Sequence, residues 1–408
     1  MPYRAHRRRI TRRSFVGGSV VAATVAALPR GGVFAAGSDT IRFGVVGCGG
    51  RGTGAALQAA AADRGVVISA IGGLFSDEVA ASAERLTAAL GHRFDCPAGR
   101  RFAGFDAGSA VIHADIDAVI LATPPHLRPG HVAAAVAAGR HIYCETPAAV
   151  DSAGVSGILA SSAEAASRGL SIVSGLRWRR DRATASTIAR IHAGDLGRVL
   201  GATAIAQAAP PSQRSPHPGW STHETRLRNW ISEEQFSGGA YVEHHVHAID
   251  RALWSLGDER PVMAVALQTT APLPAPAATP RSPTVRLLFS DGRWIDVGID
   301  RRSGVETGCS ATVRGTSGTA DLVEHTIAGR TVGVPIRPED PLANAAAALV
   351  GSLRGGERID DLSILCRSTA TATLVRTAAR TPHPVRWIDL GIPEPILQPS
   401  RPVQWDVG

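Results

Sequence analysis

The sequence predicts an α/β protein in which a doubly wound parallel sheet is followed by an α+β domain with a large, open, mostly antiparallel sheet. Three observations carry that expectation. From residue 41 to residue 174 short apolar runs alternate with alanine-rich helical stretches, the pattern of parallel strands with crossover helices. A glycine-rich turn, Gly47-Cys48-Gly49-Gly50-Arg51-Gly52, joins the first apolar run to the first helical stretch. Beyond about Leu176, strand-like runs follow one another with few helices between them.

In order along the first half, strands are expected at 41–46, 66–71, 118–121, 141–144 and 170–173, each a short apolar run. Helices fill the gaps at 52–62, 77–90, 126–138 and 150–168. Gly139 and Gly169 stand where the last two end, because glycine takes the left-handed conformation of a helix C-cap without strain. In the second half strands are expected at 199–207, 262–270, 284–289, 294–299 and 309–314, and helices at 241–256, 342–353 and 361–379. Asp291-Gly292 is a hairpin signal, since a two-residue turn needs positive φ. Residues 271–283, rich in proline and alanine, read as a loop. The division is then a leader at 1–36, a first domain at 37–175 and a second at 176–408.

A chain of 408 residues is long enough for two domains. Its formal charge of +8 would suit a nucleic-acid partner, but Arg4, Arg7, Arg8, Arg9, Arg12, Arg13 and Arg30 all precede the first acid, Asp39. Removing those seven from +8 leaves +1 for the rest, and no Lys/Arg-rich run remains in the body of the sequence to follow a phosphate backbone. The same leader holds an apolar stretch from Phe15 to Leu28, too short to span a bilayer. It closes on a small-residue cleavage signal at Val33-Phe34-Ala35. Thr11-Arg12-Arg13-Ser14-Phe15-Val16 resembles the twin-arginine signal, which implies the export machinery as a partner, a periplasmic or secreted destination, and no stable membrane span after cleavage; a plain secretory signal or an uncleaved anchor is the alternative. The five cysteines lack metal-type spacing and read as unpaired small core residues.

The glycine turn fits G-x-G-x-x-G in its proper setting, after a strand and at the start of a helix. That placement identifies a Rossmann domain. Gly47 allows the tight turn, Gly49 lets the backbone approach a pyrophosphate, and Gly52 lets helix and strand pack closely. With Cys48, Gly50 and Arg51 these are the expected contacts of NAD or NADP. The acid that ordinarily ends the second strand and binds the adenosine ribose is replaced by Gly73. No arginine stands next to it in sequence to hold a 2′-phosphate instead. Asp77 could serve if the turn folds back, or simply cap the next helix.

With these residues in place, the chain resembles the Gfo/Idh/MocA, or glucose-fructose oxidoreductase-like, family, in particular its exported twin-arginine type. The resemblance runs through residues 45–54, Ala122-Thr123-Pro124-Pro125-His126 with His131, and Arg140-His141 leading to Glu145-Thr146-Pro147. It continues through Leu227-Arg228-Asn229-Trp230 and Glu243 to Asp250. It implies that Thr123, Pro124 and His126 lie beside the cofactor, that Glu145 and Thr146 meet its nicotinamide end, and that a cis peptide precedes Pro147. It also implies a homo-oligomer and a carbohydrate substrate.

The family's lysine, which polarises the reacting hydroxyl, is here Thr146, and the chain contains no lysine to replace it. Glu243, His247 and Asp250 fall at i, i+4 and i+7, on one face of a continuous helix. His247 is therefore the expected proton acceptor, with Glu243 and Asp250 as its supporting carboxylates. Glu243 with His244, His245 and His247 could instead bind metal on a strand, but on a helix they diverge, and no metal is assigned. Arg179, Arg228, Trp230 and His245 are the candidate substrate residues. The resulting expectation is a periplasmic NAD(P)-dependent oxidoreductase of a sugar or sugar derivative that retains its cofactor. The alternatives are NAD-assisted glycoside hydrolysis or lysis, and a non-catalytic sugar-binding relative.

Overall fold

Parallel pairing organises the first half of the chain. In the computed structural model, which describes residues 39–207, 213–215, 217–267, 283–300, 308–332 and 340–393, six strands take the order β3-β2-β1-β4-β5-β6. They are β1 (Ile41–Val46), β2 (Val66–Gly73), β3 (Arg101–Ala103), β4 (Ala118–Leu121), β5 (His141–Cys144) and β6 (Ile172–Ser174), and every pair is parallel. This order reverses between β1 and β4, the switch point at which doubly wound sheets bind ligands. The crossovers are α1 (Gly50–Ala62), α2 (Ser76–Leu90), α3 (Ala107–Ile112), α4 (Arg128–Ala137), and the pair α5 (Ser152–Ala160) and α6 (Ser162–Ser167). The sequence omits β3 and α3 and reads α5 and α6 as one helix. β3 is only three residues long, and its side chains are largely exposed, so it carries no apolar signal.

From β6 the chain passes through α7 (Arg182–His192), a helix the sequence reading misses, into β7 (Val199–Gln207). Then come α8 (Thr222–Arg228), α9 (Glu234–Ser237), α10 (Gly239–Glu243), α11 (Val246–Ser255) and β8 (Met263–Leu267). β9 (Thr284–Leu288), β10 (Trp294–Asp300), β11 (Gly308–Gly315), β12 (Gly318–Asp321), β13 (Thr326–Ile327) and β14 (Arg330–Thr331) complete most of a second sheet. They lead to α12 (Pro341–Leu353), α13 (Leu362–Ala378) and β15 (Val385–Arg386). Its nine strands run β14-β13-β12-β11-β7-β10-β9-β8-β15. β7 and β10 pair in parallel, and all other neighbours are antiparallel. The hairpin at Asp291-Gly292 forms as its residues dictate, with Gly292 at φ +85°. The leader at 1–36 and most of the proline-rich loop, residues 268–282, lie outside the described residues, and no described helix is long and apolar enough to cross a membrane.

The two sheets share one apolar core. It runs from Val46, Val119 and Ile142 under the first sheet to Val285, Ile295 and Val313 under the second, with α11 and α13 between. The end of the chain also returns to the first sheet. Ile172 of β6 bridges Asp360, and Arg354 at the end of α12 bonds Asp39 at 2.6 Å and Asp63 at 2.8 Å. Between the layers lies a buried ionic cluster. Arg179 donates to both carboxylate oxygens of Asp250 and to Asp258 at 2.5–2.7 Å, and rests on Trp254; Ser368 of α13 also donates to Asp250.

Because Asp250 is only 1% exposed, removing its partner would leave an uncompensated charge. Arg179→Met is expected to cost about 3 to 5 kcal/mol of unfolding free energy. Chemical denaturation would show it, and a loss below about 1 kcal/mol would place the cluster among weak surface pairs.

Candidate functional site

Backbone geometry builds the floor of the site. Gly47 has φ +106°, and a Cβ there would lie 2.6 Å from the Ala122 carbonyl group at the end of β4. A Cβ on Gly52 would stand 1.9 Å from the Gly47 oxygen. Both positions therefore demand glycine, the first for its conformation and the second for close helix packing. Gly49 and Gly50 face open space, with nothing within 4 Å of a Cβ at either. Gly49 caps α1, and no side chain accepts from the helix's first turn. A concave, open helix N-terminus of this kind suits a pyrophosphate. Cys48 turns inward instead, and burial pushes its thiol up to about 12.

The second strand ends without a carboxylate, as the sequence indicates. Gly73 has room for a side chain, its nearest neighbours from a Cβ being 3.4 Å away. Asp77 does not cap α2, since Phe75 occupies that position. It pairs with Arg228 at 2.9 and 3.0 Å, which holds its carboxyl below the usual range. Arg228 arrives from α8, sandwiched between Phe75 and Trp220 with its guanidinium 3.9 and 4.4 Å from their centroids. It therefore sits beside the loop that follows β2 and does not line the cavity described below. An arginine absent from the neighbourhood of Gly73 in sequence reaches that neighbourhood in space.

Two loops form the inner wall. Arg128, 2% exposed, donates to the backbone oxygens of Thr123 and Pro147 and so ties the β4 loop to the β5 loop. Thr123 also bonds His131 at 3.1 Å. Glu145 is buried and accepts from Arg51 Nε at 2.8 Å, bringing the β5 loop against the glycine turn. The Thr146–Pro147 peptide is cis. His126 points away toward α9, bonding the Phe236 carbonyl and lying against its ring, and Pro124 does not line the cavity.

Between these loops and the second sheet is a cavity of about 300 Å³ lined by Thr146, Arg177, Trp230, Glu243, His247 and Cys309, among others. The helix expected at 241–256 is broken at His244 and His245 into α10 and α11, yet Glu243 and His247 still face the same space. Thr146 Oγ1 and His247 Nε2 are 3.3 Å apart, and the direction of that hydrogen bond follows the imidazole tautomer. His247 Nδ1 and Glu243 Oε2 have no hydrogen-bond partner. Burial, reinforced by Arg177, Arg251 and Arg51, lowers the His247 imidazole to about 3. Burial raises Glu243 to about 8, against the opposing pull of Arg128.

Three further expected site residues lie elsewhere. Asp250 is consumed by Arg179 and Ser368, and Arg179 by Asp250 and Asp258, so both belong to the buried cluster. His245 is fully buried, bonding the Gly298 carbonyl and stacking on Tyr241. The broken helix turns it from the cavity. Conversely, Arg128, Arg177, Gln207 and Cys309 line the cavity without having been singled out. The basic-aromatic run Arg177-Trp178-Arg179-Arg180 was visible, but only its 3₁₀ geometry decides which guanidinium faces which way. Among the described residues no group of three His, Cys, Asp or Glu is placed to hold a metal ion, and all five cysteines are free.

Residues 41–172 match the model of an oxidoreductase family with an NAD-binding Rossmann fold, GFO_IDH_MocA. Inositol 2-dehydrogenase 4 of Saccharopolyspora erythraea is 25% identical over 284 residues, spanning 66% of this chain and 77% of that protein. Levoglucosan dehydrogenase, solved with NADH and levoglucosan, superposes with a TM-score of 0.64 at 20% identity, covering 85% of this chain and 99% of its own. The WlbA dehydrogenase of Bordetella pertussis, solved with NADH and UDP-GlcNAcA, gives 0.63 at 21% identity over 85% of this chain and 98% of its own. These likenesses support the Gfo/Idh/MocA resemblance, and the first sheet is an NAD-binding Rossmann fold.

The two shifted groups have opposite consequences for stability. Glu243 keeps its proton in the folded chain up to about pH 8, whereas the unfolded chain releases it near 4.5. Relative to Glu243→Gln, the protein should therefore lose stability as pH rises between those values. The unfolded chain protonates His247 near pH 6.5, and the folded chain only near 3. Relative to His247→Asn, stability should fall as pH drops through that interval. Denaturation midpoints of the three proteins across both intervals test this, and parallel curves would refute both assignments.

Proposed function

We propose that the chain is an exported, NAD(P)-dependent oxidoreductase of a sugar or sugar derivative, with a firmly held cofactor. The observation that carries the reading is the meeting of Thr146, Glu243 and His247 in one cavity beside the open glycine turn. Gly47–Gly52 would hold the pyrophosphate, and Thr123, Glu145 and Thr146 would border the nicotinamide end. An oxidised nicotinamide bound there would supply a hydride acceptor, leaving the protein to take the proton of the substrate's hydroxyl.

The protein's share is to take that proton. His247 was the expected acceptor, but a group held near 3 is a weak base. Its Nε2 and Thr146 Oγ1 are better suited to orient the hydroxyl. Glu243, raised to about 8, exchanges protons near neutrality and takes the part that the absent lysine leaves open. At neutral pH it is chiefly protonated, which favours proton donation to a carbonyl and hence the reductive direction. The twin-arginine-like leader supports export of a folded protein carrying its dinucleotide.

Mass and absorbance of material released on denaturing the purified protein should reveal a dinucleotide. Glu243→Gln is expected to lower kcat on a reactive carbonyl or polyol roughly a hundredfold or more. Thr146→Lys should raise oxidation of the same polyol. Failure to bind any pyridine nucleotide, or binding without turnover across aldoses, polyols and glycosides, would sink the catalytic reading and favour a sugar-binding protein.

A further inference from the structure

The cavity contains more positive charge than its own carboxyl groups answer. Arg51, Arg128 and Arg177 all line it. Arg51 is paired with Glu145. Arg128 donates only to backbone oxygens, and its Nε has no partner. Arg177 lies on the opposite wall, in the 3₁₀ turn that follows β6, near Gln207, Gly308 and Cys309 of the second sheet. Its guanidinium touches the Trp178 ring at 4.9 Å, its Nε has no hydrogen-bond partner, and it makes no ion pair among the described residues. The remaining lining acid, Glu243, is protonated at neutral pH.

A half-buried guanidinium without a counter-charge is costly, and that cost is recovered when an anion arrives. The dinucleotide does not supply this anion. Its phosphates would be met at Gly47–Gly52, and an oxidised nicotinamide is itself cationic. Arg177 instead faces the space left for the second reactant, beside Trp230, whose ring offers an apolar face to a sugar.

Resting on the oxidoreductase reading above, we infer that the substrate is an acidic sugar, whose carboxylate pairs with Arg177 while its reacting carbon faces Thr146, Glu243 and His247. A planar carboxylate suits the guanidinium fork.

The test uses the mature chain saturated with NAD or NADP and three probes that differ at one carbon: D-glucose, D-glucuronate and glucose 6-phosphate. Equilibrium binding by calorimetry and cofactor reduction or oxidation are measured for each. Glucuronate is expected to bind at least about tenfold more tightly than glucose. Arg177→Met should collapse that ratio toward one, and Arg177→Lys should restore part of it, with folding checked by circular dichroism. Equal binding of glucose and glucuronate, a ratio unchanged in Arg177→Met, or tighter binding of the phosphate would overturn the inference. Selective glucuronate binding without turnover would uphold the subsite while refuting the catalytic reading, so the two failures are separable.

Discussion

The site depends on one buried guanidinium. Arg128 carries its charge into the interior with backbone oxygens as its hydrogen-bond acceptors, one from the loop after β4 and one from the loop after β5. Those loops present Thr123 on one side and Glu145 and Thr146 on the other. Without the cross-link each would be an independent connection of a few residues. With it they form a single wall against which the glycine turn is fixed through Arg51 and Glu145. The same charge also reaches Glu243, His126 and His131. Position and electrostatics thus come from one residue, which has no catalytic chemistry of its own.

Desolvation then differentiates the side chains that share the cavity. A carboxyl and an imidazole placed there respond in opposite senses, because burial disfavours whichever form is charged. Glu243 holds its proton and His247 refuses one, so both are neutral under ordinary conditions. The absence of lysine sharpens this contrast. All permanent cations in the wall are guanidiniums, too basic to exchange protons, and the exchange falls to the buried acid.

The first sheet was legible in the sequence because parallel strands are buried on both faces and announce themselves as unbroken apolar runs. β1, β4 and β5 begin and end where expected, and β2 extends two residues further. β3 and α7 were not legible: the former is three residues with only Phe102 against the core, and the inner face of the latter mixes Thr184 and Thr187 with Ile188 and Ile191. Glu243 and His247 line one cavity although the premise that grouped them fails. The expected continuous helix breaks between them, yet α10 and α11 turn both side chains toward the same cavity. His245 and Asp250 did not survive, because the break and the arrival of Arg179 turn on contacts between residues 71 positions apart. Arg177 was hidden for a similar reason, since neighbours in a tight turn point in different directions and composition cannot say which.

The pairing of Arg228 with Asp77 has a mechanical consequence. It fastens a helix of the second half of the chain to the first turn of α2, and Arg214 reaches Glu78 alongside it at 2.9 Å. The adenosine half of a dinucleotide seated on the glycine turn thus borders a seam between the two layers. Under the proposed function, loosening these two ion pairs would open that edge, so their strength would bear on how long the dinucleotide stays.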